Sequence, residues 1–295
     1  MHPSLLDDII FKIVFGTRQN EAVLRALLNA LLGLTGPNRI VELTVLNPTI
    51  DKAYLSERGA VLDVKARDGR GWHYNIEVQV SDNPGYIKRS LFYLARLYTE
   101  QLEKGQPYDR LERTIAISLV DYVLFPDLAD LHSMYRFYDQ VHQRELSDVL
   151  EIHYLELVKF RGEKLHGLRT PFEKWLHVLK FAKLYESDKE PLPELLQEEE
   201  GIPMALDAMR KAYATDEVKE LIEFRDKAMH DEATRMAHAV REAVRDAVRE
   251  ARQEATQEAR KESALEIARK MLAKGMDRDT VLSVTGLRPE ELTES

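Results

Sequence analysis

The sequence predicts an α/β protein: a mixed central sheet flanked by helices, followed by a long C-terminal helix and a small helical tail. Three observations predict it. Strand-like runs at 41–46, 60–67, 72–80 and 113–120 are interleaved with helical periodicity at 21–32 and 86–104. Residues 215–274 contain neither Gly nor Pro, and Gly275 and Gly286 then break up the tail. A chain of 295 residues, 44% hydrophobic and 32% charged, also has enough apolar material for one large domain or two modest ones.

Taken in order, Asp7 and Asp8 are placed to cap a short helix over Ile9–Phe15 that Gly16 ends. Asn20 stands as the N-cap of a stronger helix, Glu21–Leu32, whose Val23, Leu24, Leu27, Leu28 and Leu31 share one face. Val41–Leu46 alternates and stops at Asn47-Pro48. Ala60–Arg67 and Trp72–Val80 flank the turn sequence Asp68-Gly69-Arg70-Gly71. Tyr86–Lys104 has helical spacing and closes at Gly105, and the apolar run Arg113–Val120 predicts a central strand. Met134–Tyr138 and Leu150–Val158 read as further strands, and a helical region begins at Trp175.

The expected domains are a main unit over 1–224, a charged Ala-rich helix over 225–274 and a short tail over 275–295. In the helix, Ala recurs every four residues from 239 to 259. That stripe drifts around the surface, which disfavours a standard left-handed coiled coil and leaves a solvated spacer or a close-packing face. The Gly- and Pro-free stretch 215–274, as one helix, spans on the order of 90 Å at 1.5 Å per residue.

Composition removes several function classes. With no cysteine, disulfides, thiolate nucleophiles, iron–sulfur clusters and Cys-type zinc sites are excluded. No basic leader or 18-residue apolar run is present, so a cytoplasmic protein with no membrane partner is expected. The net charge of −9 comes from the middle: 111–224 carries 14 Lys/Arg against 23 Asp/Glu, whereas 1–110 carries 14 against 13. The chain as a whole therefore neither attracts nor excludes a polyanion. Phosphate-cradling Gly-rich loops and nucleophile elbows are absent, and no His pair has helical metal-site spacing.

The hairpin carries the chemistry. Asp63 and Lys65 alternate against Leu62, Val64 and Ala66, while Asn75, Glu77 and Gln79 alternate against Ile76, Val78 and Val80. Pairing Asp63 with Glu77 also pairs Asp68 with Trp72, leaving the loop Gly69-Arg70-Gly71 with Gly71 in the left-handed position. Two carboxylates on facing residues, with Cβ atoms roughly 5 Å apart, call for a shared proton or a cation. A hard ion completed by water and phosphate fits Mg²⁺, with Gln79 placed to orient a water. Alternation alone is equally the pattern of a hairpin with one solvated polar face.

Glu21 on an early helix, Asp63, Glu-x-Gln at Glu77 and Gln79, and a helix with Arg89 and Tyr93 together resemble the PD-(D/E)XK nuclease superfamily. More narrowly, Asp8-Ile-Ile-Phe-Lys-Ile-Val-Phe15, Leu62-Asp63-Val64, Asn75-Ile-Glu-Val-Gln79 and Gln101-Leu-Glu-Lys-Gly-Gln-Pro-Tyr108 are similar to the Rpn family of recombination-promoting nucleases, also named transposases. Tyr154–Phe160 and Trp175 extend the resemblance over about 1–180.

The resemblance implies a restriction-endonuclease-like core hydrolysing DNA phosphodiesters with Mg²⁺, or Mn²⁺ as substitute. Asp63 and Glu77 would bind the metal with the carbonyl of Val78, and Glu21 would be an accessory acid. Gln79 stands where the superfamily has Lys, so Lys65 or Arg89 would supply the missing positive charge. A catalytically degenerate DNA-binding or self-assembling protein is the alternative. For the tail, with 3 cations against 5 acids over 271–295, association with a second copy is expected in preference to a helix-turn-helix DNA reader.

Overall fold

The computed structural model describes residues 4–49 and 62–292. Its helices are α1 (Asp8–Phe15), α2 (Glu21–Leu31), α3 (Tyr86–Thr99), α4 (Pro171–Phe181), α5 (Glu194–Gln197), α6 (Ile202–Ala214), α7 (Asp216–Ala273) and α8 (Arg278–Thr285). The strands are β1 (Leu43–Val45), β2 (Val64–Asp68), β3 (His73–Gln79), β4 (Thr114–Val120), β5 (His132–Asp139) and β6 (Arg144–Glu156). The chain divides into two compact units, Met1–Asp226 and Lys227–Ser295.

The first unit is built on one six-stranded sheet in the order β1-β2-β3-β4-β6-β5. β1 pairs antiparallel with β2, and the short turns after β2 and β5 make β2–β3 and β5–β6 antiparallel hairpins. The parallel pairing of β3 with β4 needs a crossover, which α3 provides, and β6 then adds parallel to β4. With neighbours on both sides and helices on both faces, β4 is buried at every residue, as its mostly apolar run predicts.

One face carries the main core. There α1, α2, α4 and α6 pack around Phe11, Phe15, Leu27 and Trp175 against Ile76, Ile115 and Ile117. On the other face, α3 sets Tyr86 and Leu94 against Ala116, Val120, Ile152 and Tyr154. The histidines that look scattered in sequence partly meet. His132 and His153 lie 2.7 Å apart, and His153 bonds Glu151 at 2.6 Å. Arg113 and Arg136 also pair with Glu151, so this cluster braces β4, β5 and β6 on the face away from α3.

Several boundaries differ from the sequence reading for local reasons. Asn20 precedes α2, yet its side chain donates to the Ile13 carbonyl and caps nothing. The α3 helix stops at Thr99, because Gln101 is bound to the Glu112 backbone and the Thr114 hydroxyl at the entry to β4. The α4 helix starts at Pro171, four residues before Trp175, on a Thr170–Glu173 capping box.

In the second unit α7 runs on from the first unit to Ala273, and Gly275 turns the chain in a left-handed conformation. Ala268, Val281 and Leu287 are then buried in a small core of their own with Leu265, Met271 and Leu282. Val281 and Leu287 are thus used within the tail rather than left for another chain. Among the described residues, no helix is long and apolar enough to cross a membrane.

Candidate functional site

The β2–β3 register follows from its turn. Asp68 N–H donates to the Trp72 carbonyl at 3.0 Å, Gly71 N–H donates to the Asp68 carbonyl at 3.0 Å, and Gly71 has φ +93°. The buried Asp68 carboxylate is consumed here, accepting from the Arg70 guanidinium, the Arg70 and Trp72 N–H groups and the Tyr74 hydroxyl. From this turn the ladder runs Arg67↔His73, Ala66↔Tyr74, Lys65↔Asn75 and Val64↔Ile76. One step further the same register sets Asp63, at the entrance to β2, opposite Glu77.

Glu77 is only 2% exposed. Arg89, one turn into α3, donates to Glu77 Oε1 at 2.8 Å and to Gln79 Oε1 at 2.6 Å. Gln79 is anchored in turn by its amide, which donates to the Ser81 carbonyl at 2.8 Å. Asp63 accepts from the Asn47 amide at 3.2 Å. Lys65 is drawn to Glu100 at the end of α3, 3.3 Å away, but its charge still acts on Asp63.

Both carboxyls are pushed up. Burial raises Glu77 to about 7, with Arg89 opposing and the charge of Asp63 adding to the rise. Burial also raises Asp63, with Lys65, Lys12 and Asn47 opposing. Two neighbouring carboxylates whose ionised forms burial disfavours are a donor pair that a hard divalent ion neutralises. On the α3 side the buried atoms Asn75 Oδ1, Arg89 Nε, Tyr86 Oη and Tyr122 Oη find no hydrogen-bond partner among the described residues, so the polar groups around Glu77 do not close on themselves. Among the described residues, no cluster of three His, Cys, Asp or Glu offers a competing metal site. These residues fit an ion held by two carboxylates and otherwise by carbonyl, water and phosphate oxygens.

The fold thus brings together Asp63, Glu77, Gln79 and Arg89, with Val78 between the polar pair on β3 and Lys65 alongside. Glu21 is directed elsewhere: its carboxylate accepts from the Val45 N–H at 2.9 Å and so ties α2 to β1. Tyr93 lies next to Phe92, with ring centroids 5.7 Å apart on α3.

Two supporting residues were not legible in the sequence. Lys12, in the apolar helix α1, is 2% exposed and donates to the backbone carbonyls of Asn47 and Asp63. Asn47 completes the clamp, donating to the Asp63 carbonyl at 3.1 Å and accepting from Lys65 N–H at 2.8 Å. A lysine in the middle of Ile-Ile-Phe-Lys-Ile-Val-Phe was the available signal, since a buried ammonium requires partners.

Comparison with known proteins bears on both units. A family model described as PD-(D/E)XK nuclease family transposase matches residues 5–239. A second, described as Rpn/YhgA-like nuclease family, C-terminal HTH domain, matches residues 261–294. No curated protein and no solved structure matches. The second match corrects the preference against a helix-turn-helix tail. That preference counted charge from residue 271, but the matched unit begins at 261 and takes in Lys261, Arg269 and Lys270, giving 6 cations against 7 acids. Its helices are the last turns of α7 together with α8, packed around Ala268 and Val281. The sheet order, the paired acids at the β2–β3 hairpin and a match covering most of the chain lead to one assignment: this chain belongs to the PD-(D/E)XK nuclease family transposases and carries an Rpn/YhgA-like C-terminal HTH domain.

Proposed function

We propose that the protein is a Mg²⁺-dependent DNA endonuclease, with Asp63, Glu77 and the Val78 carbonyl as metal ligands and Mn²⁺ as a substitute ion. The observation that supports this reading is the hairpin register, which carried one step past Val64↔Ile76 sets Asp63 opposite the buried Glu77, with the charge of Asp63 acting on it. A divalent ion held there supplies a Lewis acid for the phosphate and an acidified water.

The chain's own residues do the rest. Arg89 is bound to Glu77 and Gln79, and it becomes available to a phosphate oxygen once Glu77 turns to another cation. That makes Arg89 the main replacement for the superfamily's Lys, with Lys65 the second positive charge. Gln79, fixed through Ser81, offers its carbonyl oxygen to orient a water. Glu21 serves as a brace for β1. The helix-turn-helix tail holds the DNA, and two copies joined through the C-terminal region would cut both strands.

The ion pair between Arg89 and Glu77, together with Gln79 in place of Lys, favours a second reading: a DNA-binding protein whose nuclease scaffold no longer takes up metal. Calorimetric titration with Mg²⁺ or Mn²⁺ separates the two. The nuclease reading expects one site per chain, lost in both Asp63→Asn and Glu77→Gln. No metal uptake by the folded wild-type chain, or unchanged uptake in both variants, would overturn it.

A further inference from the structure

On α7 the residues Met236, Val240, Val244 and Val248 are 57%, 62%, 57% and 61% exposed, a run of large apolar side chains facing solvent on a helix whose other faces are charged. Single exposed apolar residues need no explanation, but a continuous row on one helix does.

The row has a period. Ala233, Val244 and Ala255 are 11 residues apart, as are Ala237, Val248 and Ala259, then Met236 and Ala247, and Val240 and Ala251. Within each 11-residue repeat the four positions fall at 1, 4, 5 and 8, which lie on one side of the helix. Eleven residues in three turns is 3.67 per turn, slightly more than the 3.6 of a straight helix. A seam with that period stays in contact with a partner helix only if the two wind around each other with a right-handed twist.

The charges that border the row identify the partner. One flank bears Arg241, Arg245 and Arg252, and the other bears Ala239 and Ala243 in the first repeat and Glu250 and Glu254 in the second. If two copies of this helix lie parallel, each basic flank meets the other's acidic flank. If they lie antiparallel, like flanks meet and repel. The row is therefore complementary to itself in one orientation. Val and Ala along it keep the facing backbones close, and Glu258 and Glu262 end the third repeat where charge replaces the apolar residue.

We infer that residues 233–259 form a parallel, right-handed, two-stranded coiled coil with a second copy of this chain, a seam of about 40 Å. This pairing does not depend on metal binding or nuclease chemistry, so it can fail while those hold, and the reverse.

The full-length chain contains no cysteine, which allows the seam to be mapped directly. Ala233→Cys and Ala255→Cys, each alone, should form disulfide-linked dimers on treatment with diamide, and Glu254→Cys should not. Cross-linking only when Ala233→Cys and Ala255→Cys are mixed would overturn the parallel orientation. Faster cross-linking of Glu254→Cys than of Ala255→Cys would overturn the 11-residue seam in favour of a heptad.

In sedimentation at about 20 μM the wild type should be a dimer, and Val244→Glu/Val248→Glu, which keeps the helix, should weaken association at least ~100-fold. Reversing the flanks with Arg245→Glu/Arg252→Glu should also weaken it, and adding Glu250→Arg/Glu254→Arg should restore it. A monomeric wild type, or a dimer unaffected by the Val changes, would overturn the inference.

Discussion

Glu77 sets the behaviour of the site at the scale of single residues. Burial raises its carboxyl to about 7 against the opposing charge of Arg89, so the metal-free fold takes up a proton here at a higher pH than an exposed glutamate would. For an acid whose folded pKa is raised, the stabilisation is complete below the unfolded value near 4.5. It is lost as pH rises towards 7, a cost on the order of 3 kcal/mol once the group is fully ionised. A divalent ion requires the ionised form, so binding releases a proton. Apparent Mg²⁺ affinity should therefore climb between pH 5 and 7 and level off above, and calorimetry in buffers of different ionisation enthalpy measures that proton. In Glu77→Gln the metal-free chain should lose this pH dependence and unfold at equal or higher denaturant than wild type at pH 8.

Lys12 provides a second test at the same scale. Its ammonium satisfies two backbone carbonyls that flank the entrance to β2. Lys12→Met keeps the length and removes both donors, which should cost about 2–4 kcal/mol in urea denaturation. It should also weaken metal binding by loosening Asp63. Metal affinity equal to wild type in the folded variant would show that the clamp is structural only.

Elements differ in how well the sequence discloses them. The hairpin's register was legible from Val64 to the turn, because the alternation of polar and apolar residues and the glycine needed at position 71 admit one register, while the expected start of its first strand at Ala60 lies outside the described residues. The central strand and the long helix were legible because each is nearly uniform in character: apolar residues interrupted only by Thr114 and Ser118 in β4, no Gly or Pro in α7. The less accurate boundaries depend on side chains that bond across the fold. Asn20 has the chemistry of a cap but bonds to the preceding helix, and the end of α3 is set by a contact with β4.

At α4 the start is written in the sequence itself, since Thr170-Pro171-Phe172-Glu173 is a capping-box sequence with Pro at the first helical position. Thr170→Ala should cost about 1 kcal/mol of stability in chemical denaturation. A loss below a few tenths would mean that the cap is redundant with the core contacts of Trp175. The tail misled for a different reason: a helix-turn-helix is defined by how its helices pack, and a charge count starting at residue 271 began inside it.

For the whole molecule, two units divide the work. The sheet unit holds the paired acids, and the α7–α8 unit carries the helix-turn-helix. If the tail is the main DNA-holding element, removing residues 261–295 should leave metal binding unchanged while weakening duplex binding at least tenfold in fluorescence anisotropy. The salt dependence should fall as phosphate contacts are lost. Equal DNA affinity with and without the tail would place the DNA-holding surface on the sheet unit instead.

Metal-dependent hydrolysis at the Asp63–Glu77 pair is measured by the relaxation of supercoiled plasmid. Wild type with Mg²⁺, wild type with EDTA and Asp63→Asn with Mg²⁺ are compared at equal concentration and equal folded fraction. Nicked and linear DNA should accumulate only in the first, with the variant at least ~100-fold slower. Cleavage by Asp63→Asn at the wild-type rate, or cleavage undiminished by EDTA, would contradict the account.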